Sequence, residues 1–347
     1  MLVLGIESSC DETAAAIVED GHIVHSNVVA SQDELHLEYG GVVPEIASRA
    51  HVERMLPVVE QAIEQANISS SDLDGIAVGN RPGLIGALLV GVTAAKSIAW
   101  SLDVPFVAVD HVLAHLYAPN LGDTQIEYPA LGLVVSGGHT SILNLSSPIE
   151  ATCMCKTLDD AAGEAFDKAA SILDLGWPGG PRIEEAAQRG HNVHKLPRPK
   201  IKNDETFYYS FSGLKTALLY GVKGIPKRID GVLTYERQAS DLTPQQQSDW
   251  AASFQSAAVE SIMNGVAIAF EERQYRSVVA GGGVTANKAL RQALQVFATE
   301  HNTPLHIPSF DYCVDNGAMI AGLGTAFLRQ NVTNTFATTA SPKGIAS

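Results

Sequence analysis

Two histidines stand four residues apart in Asp110-His111-Val112-Leu113-Ala114-His115. On a helix this spacing stacks both imidazoles on one face, about 5–6 Å apart, close enough to share one metal ion. The same spacing suits two histidines packed into a core, and spacing alone does not choose between them. Position favours a site, because the pair follows the apolar run Phe106 to Val109 and ligands of α/β proteins gather at the carboxyl ends of strands. A metal needs a third ligand. Asp315, in Tyr312-Cys313-Val314-Asp315-Asn316-Gly317, is the candidate, just ahead of an apolar helix expected over Ala318 to Leu328. Ahead of a helix it serves equally as an N-cap. A zinc protease is excluded, because the H-E-x-x-H helix needs its general-base Glu directly after the first histidine and Val112 stands there.

Glycine clusters form a second set. Ser136-Gly137-Gly138, Gly179-Gly180 and Gly281-Gly282-Gly283 each fall at an expected strand or loop end, where missing side chains let backbone N–H groups approach a phosphate. A tight turn explains any one of them. Three together with a polar hairpin tip at residues 8–13 outline a nucleotide cleft.

The elements that must carry these residues repeat. Residues 2–25 read as a hairpin whose tip is Glu7 to Thr13, and Leu131 to Leu145 read as another about 130 residues later. Each opens a segment of mixed strands and helices, which predicts a duplicated α/β unit with a boundary near Pro119 to Pro129. Helical periodicity covers Pro44 to Asn67, Leu84 to Trp100, Ala161 to Leu173, Thr243 to Phe270 and Ala286 to Ala298, and strands are expected at Gly75 to Gly79 and Ser277 to Ala280. Residues 190–240, rich in Pro, Lys and Tyr, show no clean period and read as a long insertion.

Composition sets the class. At 347 residues, 46% apolar and 18% charged, the chain has material for about two cored domains. Cys10, Cys153, Cys155 and Cys313 are too few and too irregular for a disulfide framework, which points to a reducing compartment. No leader-like segment and no 18-residue apolar run is present, so the expectation is a cytoplasmic protein without a membrane partner. Net charge −15 argues against nucleic acid, with one local exception. Residues 182–237 hold 11 Lys/Arg against 6 Asp/Glu, while the rest of the chain holds 12 against 32. That stretch suits an RNA face or an ordinary solvated loop.

Nine ordered motifs resemble one family over about residues 2–328. They are GIESSCDET from Gly5, GGVVPEIASRAH at 40–51, His111 with His115, VSGGHT at 135–140, GEAFDKAA at 163–170, PGGP at 178–181, SFSGLKTA at 210–217, AGGGVTAN at 280–287 and CVDNGAMIA at 313–321. The family is the universal tRNA threonylcarbamoyladenosine transferases of the bacterial TsaD type, within the actin, Hsp70 and sugar-kinase superfamily. The resemblance implies an α/β fold of two duplicated actin-like domains around a nucleotide cleft. Residues 1–125 would form the first, with a C-terminal helix over 318–347 packing back on it, and 126–317 the second, with the insertion at 190–240. It implies transfer of a threonylcarbamoyl group from threonylcarbamoyl-AMP to N6 of adenosine 37 in tRNAs reading codons that start with A, releasing AMP. His111, His115 and Asp315 would hold one divalent metal per subunit, Fe(2+) first and Zn(2+) second. Val134, Val135, Ser136, Gly137, Gly138, Asp167, Gly180, Glu184 and Asn287 would line the adenylate pocket. No catalytic base is assigned, with Asp11 or Glu12 at the first hairpin tip the candidates. Implied partners are tRNA, an inactive paralogue of the same fold docking through the first domain, a P-loop ATPase and the synthase that makes threonylcarbamoyl-AMP.

Two departures stand out. The family commonly has His-His-Met-Glu-Gly-His where this chain has Asp110 to His115, and Gly-Pro-Gly where it has Arg81-Pro82-Gly83. Both histidine ligands survive. The competing readings are an ATPase or kinase of the same superfamily, which would hold Mg²⁺ through carboxylates and phosphates, and a non-catalytic tRNA or partner scaffold.

Overall fold

The computed structural model describes residues 1–122, 124–198, 201–202, 207–229 and 232–346. Leu2–Glu7 (β1) and Glu12–Glu19 (β2) make the first expected hairpin, and Ile23–Ser31 (β3) extends it as a third antiparallel strand. Gly75–Arg81 (β4) and Phe106–Asp110 (β5) then add in parallel, giving the order β3-β2-β1-β4-β5. The second sheet repeats the plan. Ala130–Val135 (β6), Thr140–Ser147 (β7) and Glu150–Lys156 (β8) form the antiparallel part, and Ser277–Gly281 and Leu305–His306 add in parallel beyond β6.

The central strands are buried along both faces because both are covered. On β1, Leu4 and Ile6 pack outward among Met55, Val59 and Val92 of the Pro44–Gln65 and Ile85–Leu102 helices. Val3 faces the other way, into a core shared by both sheets that includes Val109, Leu143, Val279 and Met319. Two helices occupy this middle layer, His111–Tyr117 and Gly317–Arg329. The second lies so close to β1 that a Cβ on Gly5 would collide with the Gly317 carbonyl and the Ala321 amide. Ile85–Leu102 is also long and apolar enough to cross a membrane by composition, and on its buried side Val92, Ala95 and Ala99 are packed on the first sheet.

Two expectations are corrected here. Helix does not continue over 318–347: it ends at Arg329, and residues 332–346 form a strap along the free edge of β5. Asn334 N donates to Phe106 O at 2.8 Å, Ala108 N donates to Asn334 Oδ1 at 2.9 Å, and Ser341 N donates to Asn80 O at 2.9 Å. The aperiodic stretch 190–240 also contains a core helix, Ser212–Lys223, whose Leu214, Leu218 and Val222 are buried with Phe254 and Phe166. Its N-terminus has no cap of its own. Asp159, fifty residues upstream, accepts from Phe211 N at 2.8 Å and Ser212 N at 3.2 Å.

Candidate active site

The end of β5 turns directly into the His111–Tyr117 helix, because Asp110 caps it: Oδ1 accepts from Val112 N at 3.0 Å and Leu113 N at 3.3 Å. The two imidazoles then stack edge to face, 4.6 Å between centroids. Asp315 comes from the opposite direction, one residue before the cap of the Gly317–Arg329 helix. The cap itself is Asn316, whose Oδ1 accepts from Met319 N at 2.9 Å, so Asp315 is free to face the histidines. Its Oδ1 lies 3.5 Å from His111 Nε2 and 3.1 Å from His115 Nε2.

These three donors fit a metal ion. With bonds of about 2.0–2.2 Å, donors sharing one ion sit roughly 3.0–3.5 Å apart. Among the described residues both His115 nitrogens are buried with no hydrogen-bond partner beyond the close approach to Asp315, and a buried orphan nitrogen is costly unless something else meets it. His111 is held differently. Its Nδ1 lies 2.9 Å from Glu7 Oε2 and 3.2 Å from Ser9 Oγ, leaving Nε2 toward Asp315. Burial opposes a charge on His111, but the Glu7 and Asp315 carboxylates overcome it and hold its pKa up at about 10. Burial likewise opposes ionisation of Asp315, and the histidines His111, His115 and His139 hold it below the usual carboxylate range. His139, facing them, is pushed down to about 4 by burial and by those two imidazoles.

His111 and Asp315, with His115 fully buried behind them, open on a cavity of about 330 Å³ lined from both sheets: Ser9 to Glu12, Pro82 to Leu84 and His111 on one side, Ser136 to His139 and Gly283 on the other, with Asp315 between. The first hairpin tip is braced from behind by His51, whose Nδ1 lies 2.8 Å from Thr13 Oγ1 and whose Nε2 lies 3.0 Å from Cys10 O. The second tip is closed by Ser136 N donating to His139 O at 2.8 Å and His139 N donating to Ser136 Oγ at 3.1 Å, which leaves Gly137 and Gly138 exposed to the cleft.

A second cavity of about 210 Å³ adjoins it at Gly137 and Gly283 and is lined by Asp167, Gly180, Glu184 and Asn287. Backbone shape makes it. Gly282 sits at φ +95°, and a Cβ there would come within 2.5 Å of Val135 O. The two acids already hold helix starts: Asp167 Oδ1 accepts from Gly179 N at 2.7 Å and Glu184 Oε1 from Lys288 N at 2.7 Å. Burial pushes the Asp167 carboxyl up. Asn287 caps the Lys288–Glu300 helix through Leu290 N and donates to Gln255 Oε1 at 2.8 Å. Val134 and Val135 are fully buried in the two cores and put no side chain into either cavity.

The family model described as tRNA N6-adenosine threonylcarbamoyltransferase matches residues 23–322. The chain belongs to that family. Curated relatives carrying the same description are 45% identical over 345 residues in Treponema denticola, covering 99% of this chain and 97% of that one, and 43% identical over 342 residues in Bacillus cereus, covering 98% and 95%. Among solved structures, HypF from T. kodakarensis aligns over 96% of this chain and 48% of its own with a TM-score of 0.62 at 16% identity. Component A of the Acidaminococcus fermentans (R)-2-hydroxyglutaryl-CoA dehydratase aligns over 93% and 97% with a TM-score of 0.51 at 12% identity. At those identities the likeness shows the fold, which is the actin-like α/β fold of two duplicated units.

In this threonylcarbamoyltransferase-family chain, the two departures noted in the sequence meet each other: Arg81 Nε lies 3.4 Å from Asp110 Oδ2. Sequence reasoning missed Glu7, Ser9, His51 and His139. Glu7 and His139 flank apolar strands in sequence and have no spacing signal linking them to His111; only the fold closes that gap.

Proposed function

We propose that this chain is a metal-dependent acyltransferase that moves the threonylcarbamoyl group from threonylcarbamoyl-AMP to N6 of adenosine 37 in tRNAs reading codons that start with A. The observation that carries the reading is the meeting, at one cleft, of a two-imidazole, one-carboxylate donor set with an adjoining glycine-lined cavity. His111, His115 and Asp315 hold one divalent ion, Fe(2+) first and Zn(2+) second, since mixed imidazole and carboxylate ligands suit either. When bound, such an ion with open positions supplies Lewis-acid polarisation of phosphate or carbamoyl oxygens.

The chain's own residues do the positioning. Gly137, Gly138 and Gly180 let backbone approach the adenylate phosphate; Ser136 sets the tip; Val134 and Val135 act through the strand that ends in it. Asp167 and Glu184 serve hydroxyls or amines of the ribose or base, and Asn287 lies near the adenosine. The N6 lone pair attacks the carbamoyl carbon, the bond from that carbon to the phosphate oxygen breaks, and AMP leaves with the electron pair. Asp11 and Glu12 line the same cavity and are the candidates for taking the N6 proton.

We place the protein in the cytoplasm with its tRNA. A paralogue of the same fold docks on the first unit, where Val52, Leu56, Ile85 and Leu89 are about half exposed or more on two adjoining helices. A P-loop ATPase and the threonylcarbamoyl-AMP synthase complete the set. The test incubates metal-replete protein with threonylcarbamoyl-AMP and unmodified tRNA, with and without those partners, and reads modified adenosine by mass spectrometry. Product that disappears in His111→Ala supports the transferase. No product under any condition, with ATP still hydrolysed, favours an ATPase of the same fold.

A further inference from the structure

The His111–Tyr117 helix is seven residues long, far below the length at which a helix holds itself together. Its start depends on one side chain. Asp110 is buried, with only 3% of its side chain exposed, and both of its oxygens are committed. Oδ1 accepts from Val112 N and Leu113 N. Oδ2 accepts from Ile345 N at 2.8 Å, with Arg81 Nε at 3.4 Å.

Ile345 belongs to the C-terminal strap, which is pinned along its length. Asn80 Nδ2 donates to Thr339 O at 3.1 Å, Lys96 Nζ donates to Thr338 O, and Phe336 stacks on Phe106 with centroids 6.2 Å apart. At its end, Ile345 and Ala346 pack into the same middle core as Val112 and Leu113. The fit leaves no slack. A Cβ on Gly344 would come within 2.7 Å of Asp110 Oδ2 and 2.5 Å of Pro82 Cδ.

We propose that Asp110, gripped by the C-terminal strap, is a positioning residue that holds the histidine-bearing helix in place and thereby sets how tightly the cleft retains its metal. This rests on reading His111, His115 and Asp315 as the ligands. The strap reaches neither cavity, so its effect reaches the helix through the Asp110 carboxylate and through Ile345 and Ala346 packed beside Val112 and Leu113. Supports of this kind behind metal ligands are worth about 10–100-fold in metal affinity.

The test uses the full chain and three changes. Asp110→Asn keeps a capping oxygen for Val112 and Leu113 but turns an amide donor toward the Ile345 N–H. Gly344→Ala is the mildest change on the strap side and guards against a deletion that fails to fold. Deletion of residues 344–347 removes the strap contact outright. Two readouts apply: hydrogen–deuterium exchange of the Val112 and Leu113 amides in metal-free protein, and Zn(2+) affinity by chelator competition, with His115→Ala as the ligand control.

The expected result is faster exchange at those amides and a 10–100-fold loss of affinity in Asp110→Asn and in the deletion. The double variant Asp110→Asn with Gly344→Ala should be less than additive, because both changes act on the one contact between the strap and Asp110. Unchanged exchange and affinity in folded Gly344→Ala and deletion proteins would overturn the proposal, as would additive effects in the double variant. Wild-type protein that takes up no Zn(2+) defeats the ligand reading instead, and amide exchange still decides the strap.

Discussion

Glu7 Oε2 lies 2.9 Å from His111 Nδ1, with both side chains shut away from water. Glu7 ends β1 and His111 begins the helix after β5, so the contact joins residues 104 apart in the chain. A carboxylate at Nδ1 fixes the proton there and frees the Nε2 lone pair for a ligand. Glu7→Ala is therefore expected to lower metal affinity about 10–100-fold. Glu7→Gln should fall between, since its amide oxygen still accepts from Nδ1–H. Chelator competition on the purified variants reads this directly, and wild-type affinity in Glu7→Ala would mean that Ser9 alone orients the ring.

Metal should also report on the fold. An ion that binds only the native state at 100 times its dissociation constant stabilises by about 2.7 kcal/mol. Stripping the protein with a chelator should lower its thermal midpoint, and adding Zn(2+) or Fe(2+) back should restore it. His115→Ala should erase the increment, read against the variant's own metal-free midpoint, because truncating a buried ring stacked on His111 and paired with Asp315 also lowers that baseline. An increment that persists in His115→Ala would place the ion elsewhere.

Where periodicity was strong, the chain announced its structure. Both hairpins and the Pro44–Gln65 helix followed from apolar spacing, and the four-residue histidine spacing suited the helix that carries the pair. The third strands did not: Ile23–Ser31 and Glu150–Lys156 are sheet edges with mixed exposure, so no alternation marks them. The Ser212–Lys223 helix hid because its cap is Asp159, remote in sequence, and because Pro and Lys around it masked a buried stripe of only three residues. The site was legible to the same degree. Asp315 beside an obvious cap position looked ambiguous until Asn316 took the cap. The family resemblance implies Val134 and Val135 as pocket residues, and strand geometry packs both side chains into core.

Acid should loosen the second unit through Asp159. Burial raises its carboxyl, but hydrogen bonds from Ser210, Ser212 and the Phe211 and Ser212 amides outweigh that and hold it below the ordinary value. A carboxyl lowered in the folded state adds stability above its unfolded pKa of about 3.9 and loses it as pH falls through the folded value. Urea midpoints should therefore drop below about pH 4. Asp159→Ala should cost about 0.5–2 kcal/mol at neutral pH, as lost caps do, and should flatten that acid limb. An unchanged acid limb would show that other carboxylates carry it.

The exposed apolar side chains on the first unit give the last expectation. Val52 and Leu56 lie one turn apart on the Pro44–Gln65 helix, 67% and 61% exposed. Ile85 and Leu89 lie one turn apart on the neighbouring helix, 47% and 48% exposed. The helices touch where Gly86 meets Ser48, near enough that a Cβ on Gly86 would crowd the serine hydroxyl. Four such side chains on one face are poorly suited to water and well suited to a helical partner surface. Leu56→Asp with Leu89→Asp should leave folding intact, since neither is buried, and should abolish co-elution with the proposed paralogue on size-exclusion chromatography. Metal uptake by the isolated variant should be unchanged. Co-elution that survives both charges would move the docking surface off this pair of helices.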